Sequence, residues 1–491
     1  MISTFELARA GLLISLSYCI GYCVYNVLFH PLRKYPGPLS HRMMAIPRAW
    51  YHIGGRLPHH VAELHQRYGP VVRIAPDELT FSTPQAWHDI YGPKKADRPE
   101  LPKFPGFYSQ FEDIPTSILN AGEHEHNLLR RQLAPGFSER AMHEQEPIIG
   151  AYVNKLILGL RSATEKNSRQ NLREWYNWTT FDVIGDLGFG VDGGFGCLIN
   201  EANDPWMDLV ASMILQSCVL QAMCLYGLKW PILWLSRSGI LAATKHLDIV
   251  ARKVKQRMES ADRPDFLQGL ISNMKELGLT YEKVVNNADI LVFAGSETTA
   301  TLLTGATFFL TTNPEVLKKL EQEVRSAFKS ENEITLTSVN SLSYMLACLN
   351  ESLRCYPPVA SGLPRQVPKG RGVFIDGHHV PEDTVVSVYQ WAINHDEHFW
   401  TDPMDFIPDR WLGDAKYKND RLDAMQSFSV GPRNCLGRNL AYAEMRLILA
   451  KIIYNFDMSL DNSSRDWMDD QKAFEIWVKP ALNVHLKPVE R

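Results

Sequence analysis

A chain of 491 residues with 45% hydrophobic and 22% charged residues has ordinary globular composition and ample material for a core. Its net charge of −4 supplies no basic field of the kind that draws nucleic acid. None of its eight cysteines forms a CxxC pair and most lie in apolar runs, which argues against a zinc site or a disulfide scaffold and for reduced, buried thiols in a cytosol-like compartment.

Residues 10–29 carry no charge and are numerous enough to cross a bilayer. Ser15, Ser17 and Asn26 temper the run, and Tyr18, Tyr22 and Tyr25 suit an interface. No small-residue cleavage site follows, so an anchor is expected rather than a leader. Arg33 and Lys34 outnumber Arg9 as flanking charges, which puts the bulk of the protein on the cytosolic side. Pro31, Pro36 and Pro38 in "HPLRKYPGP" make a stiff elbow. The expected organisation is an anchor over 1–30, a proline-rich hinge over 31–40 and one large domain over 41–491, since no linker or repeat divides the rest.

"VVRIAPDELTF" (71–81) reads as two short strands split at Pro76-Asp77, and Thr83 then caps a helix that opens on Pro84 and ends at Gly92. Residues 95–120 read as a long loop of the kind that often carries function. From 123 to 355 the pattern is mainly helical. "GFGVDG" (188–193) matches GxGxxG, but a long helical stretch precedes it and no βαβ unit surrounds it, so turn glycines explain it better. Residues 209–228 form a second uncharged run, weakened as a span by Ser212, Gln216, Ser217 and Gln221. Strands follow over 370–390 with Asp376-Gly377 as a tight turn, then a helix over about 436–455 and a strand-like tail "FEIWVKPALNVHLKP". The fold class is mainly α with a minor β-sheet region near both ends.

"FSVGPRNCLGRNL" (428–440) holds a lone cysteine, Cys435. A lone cysteine usually just packs. This one stands where a helix begins, and free N–H groups and the dipole there stabilise a thiolate. Gly431 and Gly437 permit close backbone approach and unusual φ, and Arg433 supplies charge suited to carboxylates. One axial thiolate under an iron porphyrin satisfies all three features. Phe428, Gly431, Arg433, Cys435 and Gly437 reproduce FxxGxRxCxG, and the chain thereby resembles the cytochrome P-450 monooxygenases, with Cys435 as the haem iron ligand.

The resemblance extends along the chain. "ESLR" (351–354) puts Glu351 and Arg354 on one helix face, alone a common surface pair. With Arg410 of "FIPDRW" they look like the family's structural lock under the haem, where buried charges must be paired. "AGSETT" (294–299) looks like the distal signature, in a helix capped by Thr280. Small Ala294 and Gly295 would leave room for dioxygen, Thr298 would order water by loosening its bond to the preceding turn, and Glu297 would relay protons. Haem propionates would be met by His126 and Arg130 of "HEHNLLRRQLAPGF", with His124 as a register competitor, and by Arg365 and Arg433. Donors near 126–130 and Cys435 must touch one porphyrin, so residues 209–228 between them do not span.

The resemblance implies RH + O₂ + 2e⁻ + 2H⁺ → ROH + H₂O on a lipophilic small molecule, with haem b as cofactor. NADPH would supply electrons through a separate reductase, for which Arg438 and Arg446 are candidate contacts. "FHPLRKYPGP", "IAPDELTFSTPQAW" and "AGSETTATLLTG" look like fungal secondary-metabolism members on the endoplasmic reticulum membrane, which suggests a polyketide, terpenoid or alkaloid substrate. The same scaffold can also run desaturation, ring closure or oxidative coupling. A haem-binding sensor or carrier without turnover is a reading of another class.

Overall fold

The computed structural model describes residues 4–93, 100–108, 115–190, 195–224, 237–260 and 265–490. A central helix, Tyr281–Thr312, runs through the main apolar core. Thr280 caps it by accepting from the Lys283 N–H at 3.3 Å. Its buried hydroxyls are satisfied within the helix: Ser296 donates to Val292 O at 2.7 Å, Thr304 to Ala300 O at 2.6 Å and Thr307 to Leu303 O at 2.8 Å. Polar residues can therefore occupy the core without stray donors. The helix Leu172–Phe189 lies against it, and a Cβ at Gly295 would stand 2.6 Å from Ile184 Cδ1. Glycine there lets the two helices close.

The minor sheet has four strands, β1 (Val71–Ala75), β2 (Glu78–Phe81), β3 (Arg365–Gln366) and β4 (Val385–Val388), in the order β1-β2-β4-β3. Strand β2 runs parallel to β4, and the other pairs are antiparallel. The split at Pro76-Asp77 falls where expected. Thr83 accepts from the Ala86 N–H and Pro84 opens the helix Pro84–Tyr91. Val373–Ile375 and His378–Val380 form a hairpin whose Asp376 and Gly377 both have positive φ, 47° and 75°, as a type I′ turn requires. A three-stranded sheet joins Arg169–Asn171, Asn483–Pro488 and Phe456–Leu460.

The apolar helix Thr4–Leu28 starts earlier than the uncharged run suggests, because Glu6 and Arg9 are accommodated in its exposed first turns. It is long and apolar enough to cross a membrane, with a mean hydropathy of 1.5. Its C-terminal end is docked. Asn26 is buried and donates to Met43 O at 3.0 Å, while its own carbonyl accepts from the buried Arg73 guanidinium at 2.9 Å. Arg73 has no carboxylate in contact among the described residues, and two more of its N–H groups go to Pro76 O. Burial, with Arg42 nearby, lowers its pKa to about 10. The proline elbow is stitched down as well: Arg73 N–H donates to Pro36 O at 2.7 Å, Leu32 is buried and Tyr35 donates to His379 O at 2.7 Å.

The stretch 188–193 lies at the end of a helix, with Gly190 (φ 63°) as its left-handed cap, and residues 191–194 lie outside the described residues. The run 209–228 falls on the helix Pro205–Cys224 and continues beyond the described residues.

Candidate active site

The loop that carries Cys435 is shaped by its glycine. Gly431 has φ +76°, and a Cβ there would overlap the Tyr91 carbonyl, so the loop can seat against the end of Pro84–Tyr91 only with glycine. Cys435 N–H then donates to Phe428 O at 2.8 Å, and the helix Arg438–Asn455 begins. Gly437 has an ordinary φ of −83°, and a Cβ there would meet no atom within 4 Å. The protein's own packing makes no demand for glycine at 437. It leaves a flat, open approach beside the sulfur.

Cys435 is exposed, so its sulfur is open to a bound group. Burial pushes its thiol up; a hydrogen bond from the Gly437 N–H and the charges of Arg130 and Arg438 pull it back. Arg130 grips the loop, donating to Asn434 O at 2.8 Å and Asn434 Oδ1 at 2.5 Å. The Phe428 ring lies 5.3 Å from that of Tyr442.

Beside the cysteine loop, cations gather with few anions. Arg433 pairs with Glu100 at 2.5 Å and donates to Ala121 O at 2.8 Å. Arg365 is buried, donates to Leu101 O at 3.1 Å, and its Nε has no partner among the described residues. His126 is buried whereas His124 is exposed. Burial, followed by Arg433, Lys103 and Arg130, lowers His126 to about 4, so its ring is a neutral N–H donor. Lys103, bridged to Arg365 through the backbone, joins them. Burial and the charges of Arg365 and Arg433 push its ammonium well below the usual range. Lys103 lies in the loop over 95–120 that the sequence marked only as functional, and Arg365 comes to it through tertiary folding. Among the described residues, Glu100 is the carboxylate that meets this set. A planar dicarboxylate fits it: the orphaned Arg365 Nε and the excess positive charge are what haem propionates would satisfy.

Below the loop, Glu351, Arg354 and Arg410 are buried together. Arg354 reaches Glu351 through Nη2 at 2.7 Å and Nε at 3.0 Å, and Arg410 Nε reaches it at 3.1 Å. Trp411 Nε1 and Ile407 N–H add hydrogen bonds at 2.8 and 2.9 Å. Burial would raise the Glu351 carboxyl, but the two guanidiniums and these donors hold it below the usual carboxylate range. A fourth member, Asp420, pairs with Arg410 and makes the buried set electrically neutral. Ser427 donates to Leu353 O at 3.3 Å, tying the helix Ser343–Cys355 to the cysteine loop.

The expected distal motif lies in the middle of the central helix, where Ala294 is exposed and Thr298 lies one turn on. Its hydroxyl donates to Ala294 O at 2.6 Å, so the bond expected to loosen is closed in this regular helix. Gly295 turns the other way, against Ile184. Glu297 is held by Lys479 from the C-terminal segment, which also donates to Thr301 at 2.7 Å. Both line a cavity of about 210 Å³ whose other polar walls include Arg173, Asn177 and Ser296. Glu444, from the helix Arg438–Asn455, is buried beneath Thr299, and neither of its oxygens has a hydrogen-bond partner of good geometry among the described residues. Burial raises its carboxyl to about 8, drawn down only by the Thr299 hydroxyl. Its signal was in the sequence: a charge on the apolar face set by Leu440, Leu447 and Ile448.

Arg438 is exposed on the outer face, with its guanidinium 5.9 Å from the Phe428 ring centre. Arg446 is half-buried, bonded to Asn340 and 5.3 Å from the Tyr442 ring centre.

Comparison with known proteins agrees with this geometry. The Cytochrome P-450 family model matches residues 36–487. The chain is 45% identical over 493 residues to the cytochrome P-450 monooxygenase tpeC of Talaromyces stipitatus, covering 100% of this chain and 96% of that one. It is 42% identical to the trichothecene C-15 hydroxylase of Fusarium sporotrichioides, over 96% of each. It is 40% identical to the averantin hydroxylase of Dothistroma septosporum, over 99% of this chain and 93% of the other. With a cysteine-bearing loop and a buried Glu–Arg–Arg lock, the chain belongs to the cytochrome P-450 family and is a haem-thiolate monooxygenase.

Proposed function

We propose that the protein inserts one oxygen atom from O₂ into a lipophilic small molecule of fungal secondary metabolism, a polyketide, terpenoid or alkaloid. The cofactor is haem b and the electrons come from NADPH through a separate reductase. The observation that supports this reading is an exposed Cys435 on a glycine-shaped loop at the start of a helix, with Arg130 gripping that loop. The activities named for the two fungal hydroxylases support the substrate class.

Bound haem supplies the oxygen chemistry, and a thiolate ligand pushes electron density onto its iron and favours O–O cleavage. The chain's residues do the rest. Cys435 is the ligand, with the Gly437 N–H and the positive charge of Arg130 tuning the sulfur. His126, Arg130, Arg365, Arg433 and Lys103 hold the propionates. The Thr298 hydroxyl donates to Ala294 O and so offers its oxygen to a water. Glu297 stands at the wall of the polar cavity, where its carboxylate takes up a proton and hands it towards that water. Residues 1–30 anchor the protein in the endoplasmic reticulum membrane, 31–40 form the elbow, and 41–491 form the catalytic domain on the cytosolic side. The exposed Arg438 offers charge to an acidic reductase face.

The test is a carbon monoxide difference spectrum of the reduced protein and of Cys435→Ala, followed by turnover with reductase and NADPH of metabolites that accumulate when the gene is deleted. A thiolate band that survives Cys435→Ala removes the ligand assignment. NADPH consumption that no accumulated metabolite stimulates removes the substrate class.

A further inference from the structure

Outside the cysteine loop, three separate segments bring a nitrogen, a sulfur and a carboxylate together. His52 lies in the short helix Ile46–Ile53, Cys218 in Pro205–Cys224, and Glu475 in the tip between Lys472–Ala473 and Trp477–Val478. Their ligating atoms all lie within 4.8 Å of one another. The Cys218 thiol donates to Glu475 Oε2 at 3.0 Å, and His52 Nε2 lies 4.0 Å from Glu475 Oε1. Gln221 completes the group: its Nε2 donates to Glu475 Oε1 at 2.6 Å, and its Oε1 lies 3.2 Å from His52 Nε2. His52, Cys218 and Gln221 are buried, and Glu475 is partly so.

We infer that His52, Cys218 and Glu475 form a site for one zinc ion, distinct from the haem site. Imidazole, thiolate and carboxylate are the ligand types zinc takes, at about 2.0–2.3 Å in tetrahedral geometry. Such bonds put neighbouring ligand atoms roughly 3.5 Å apart. The observed 3.0 and 4.0 Å bracket that spacing, so small side-chain rotations suffice. The charges close as well. Zinc displaces the proton from the Cys218 sulfur, which leaves to solvent, and Zn²⁺ with one thiolate and one carboxylate is neutral. That matters in a buried site, where net charge is costly. The neighbouring cation, Arg48, is already neutralised by Glu78 at 2.5 Å. Gln221 Oε1 or a water takes the fourth position.

The site joins three elements that already meet through hydrogen bonds. Zinc there pins Pro205–Cys224 to Ile46–Ile53 and to the tip that precedes Trp477.

Equilibrium dialysis of the haem-loaded, full-length protein against buffered zinc at micromolar free concentration tests this. The parent binds one zinc per chain, whereas Cys218→Ser and His52→Gln each weaken that binding by at least about tenfold. Both variants keep the carbon monoxide band, since neither residue touches the thiolate site. Amide hydrogen exchange in Pro205–Cys224 slows with zinc in the parent and not in the variants. A parent that binds no zinc, or variants that bind it as tightly as the parent, overturns the site.

Discussion

The Lys479 ammonium donates to the Glu297 carboxylate and, at 2.7 Å, to the Thr301 hydroxyl one turn further along the central helix. The acid that its motif marks for proton delivery is therefore held by a buried cation from the far end of the chain. Lys479 both fixes the carboxylate at the cavity wall and fastens the C-terminal segment to that helix.

Glu297→Gln keeps the shape of this contact but removes the transferable proton. Product formation falls by roughly 10²-fold while the carbon monoxide band is retained. Lys479→Met leaves the acid without its cation and costs about 2 kcal/mol of stability, the range for a hydrogen bond to a charged group. Chemical denaturation of the two variants separates the roles: Glu297→Gln is the milder, Lys479→Met the more destabilised.

The Glu351 lock has a defined acid sensitivity. Its carboxyl binds a proton less readily in the folded state than at its ordinary value of 4.5. Its contribution is thus complete above that value and is lost as pH falls through the depressed folded value. Glu351→Ala strands two buried guanidiniums and costs about 3–5 kcal/mol at neutral pH. Denaturation midpoints of parent and variant, compared from neutral pH down into the acid range, converge only on the acid side.

Glu444 has the opposite sign. Its carboxyl is raised to about 8 when folded, so its penalty is absent below the ordinary value of 4.5, grows as pH rises, and levels off above 8. Glu444→Gln gains stability relative to the parent between pH 5 and pH 8. A gap that stays flat over that interval counts against a protonated Glu444 in the folded protein.

Arg365 separates haem binding from folding. Its Nε is buried without a partner among the described residues. Arg365→Leu removes that desolvation cost and makes the haem-free protein more stable, yet it takes a donor from the propionates and lowers haem retention. Thermal unfolding before and after haem loading shows both changes, and a variant that loses both stabilities together rules out a propionate role.

Both sequons should stay unmodified in a cytosolic domain, and they differ in burial: Asn177 lines the polar cavity with its Oδ1 buried. Asn462 is exposed and followed by Ser463-Ser464. Expression in a eukaryotic host leaves Asn462 unmodified if the domain faces the cytosol. A glycosidase-sensitive mass shift abolished by Asn462→Gln reverses the topology.

Local chemistry was legible. The Thr83 and Thr280 caps, the Asp376-Gly377 turn and the split at Pro76-Asp77 depend on neighbours a few residues away, and the structure has them in place. The cysteine loop was legible because its contacts repeat at fixed spacing. The reason for its glycines was not: Gly431 answers to Tyr91, and Gly295 to Ile184, residues over a hundred positions away. Asp420, Lys103 and Lys479 were missed for the same cause. Each is an ordinary charged residue until folding sets it beside Arg410, Arg365 or Glu297. Thr298 shows the reverse, a residue whose local bond is intact where the resemblance implied a loosened one.

The grip of Arg73 on the Asn26 carbonyl bears on how a soluble form should be cut. Cleaving at the prolines removes the acceptor and the side-chain amide that holds Met43 O, and leaves a buried guanidinium facing solvent on one side. Trimming ahead of Cys23 instead discards most of the greasy surface and spares the last helical turn. The shorter deletion should crystallise as a monodisperse species, where the longer one opens the edge of β1 to neighbouring molecules.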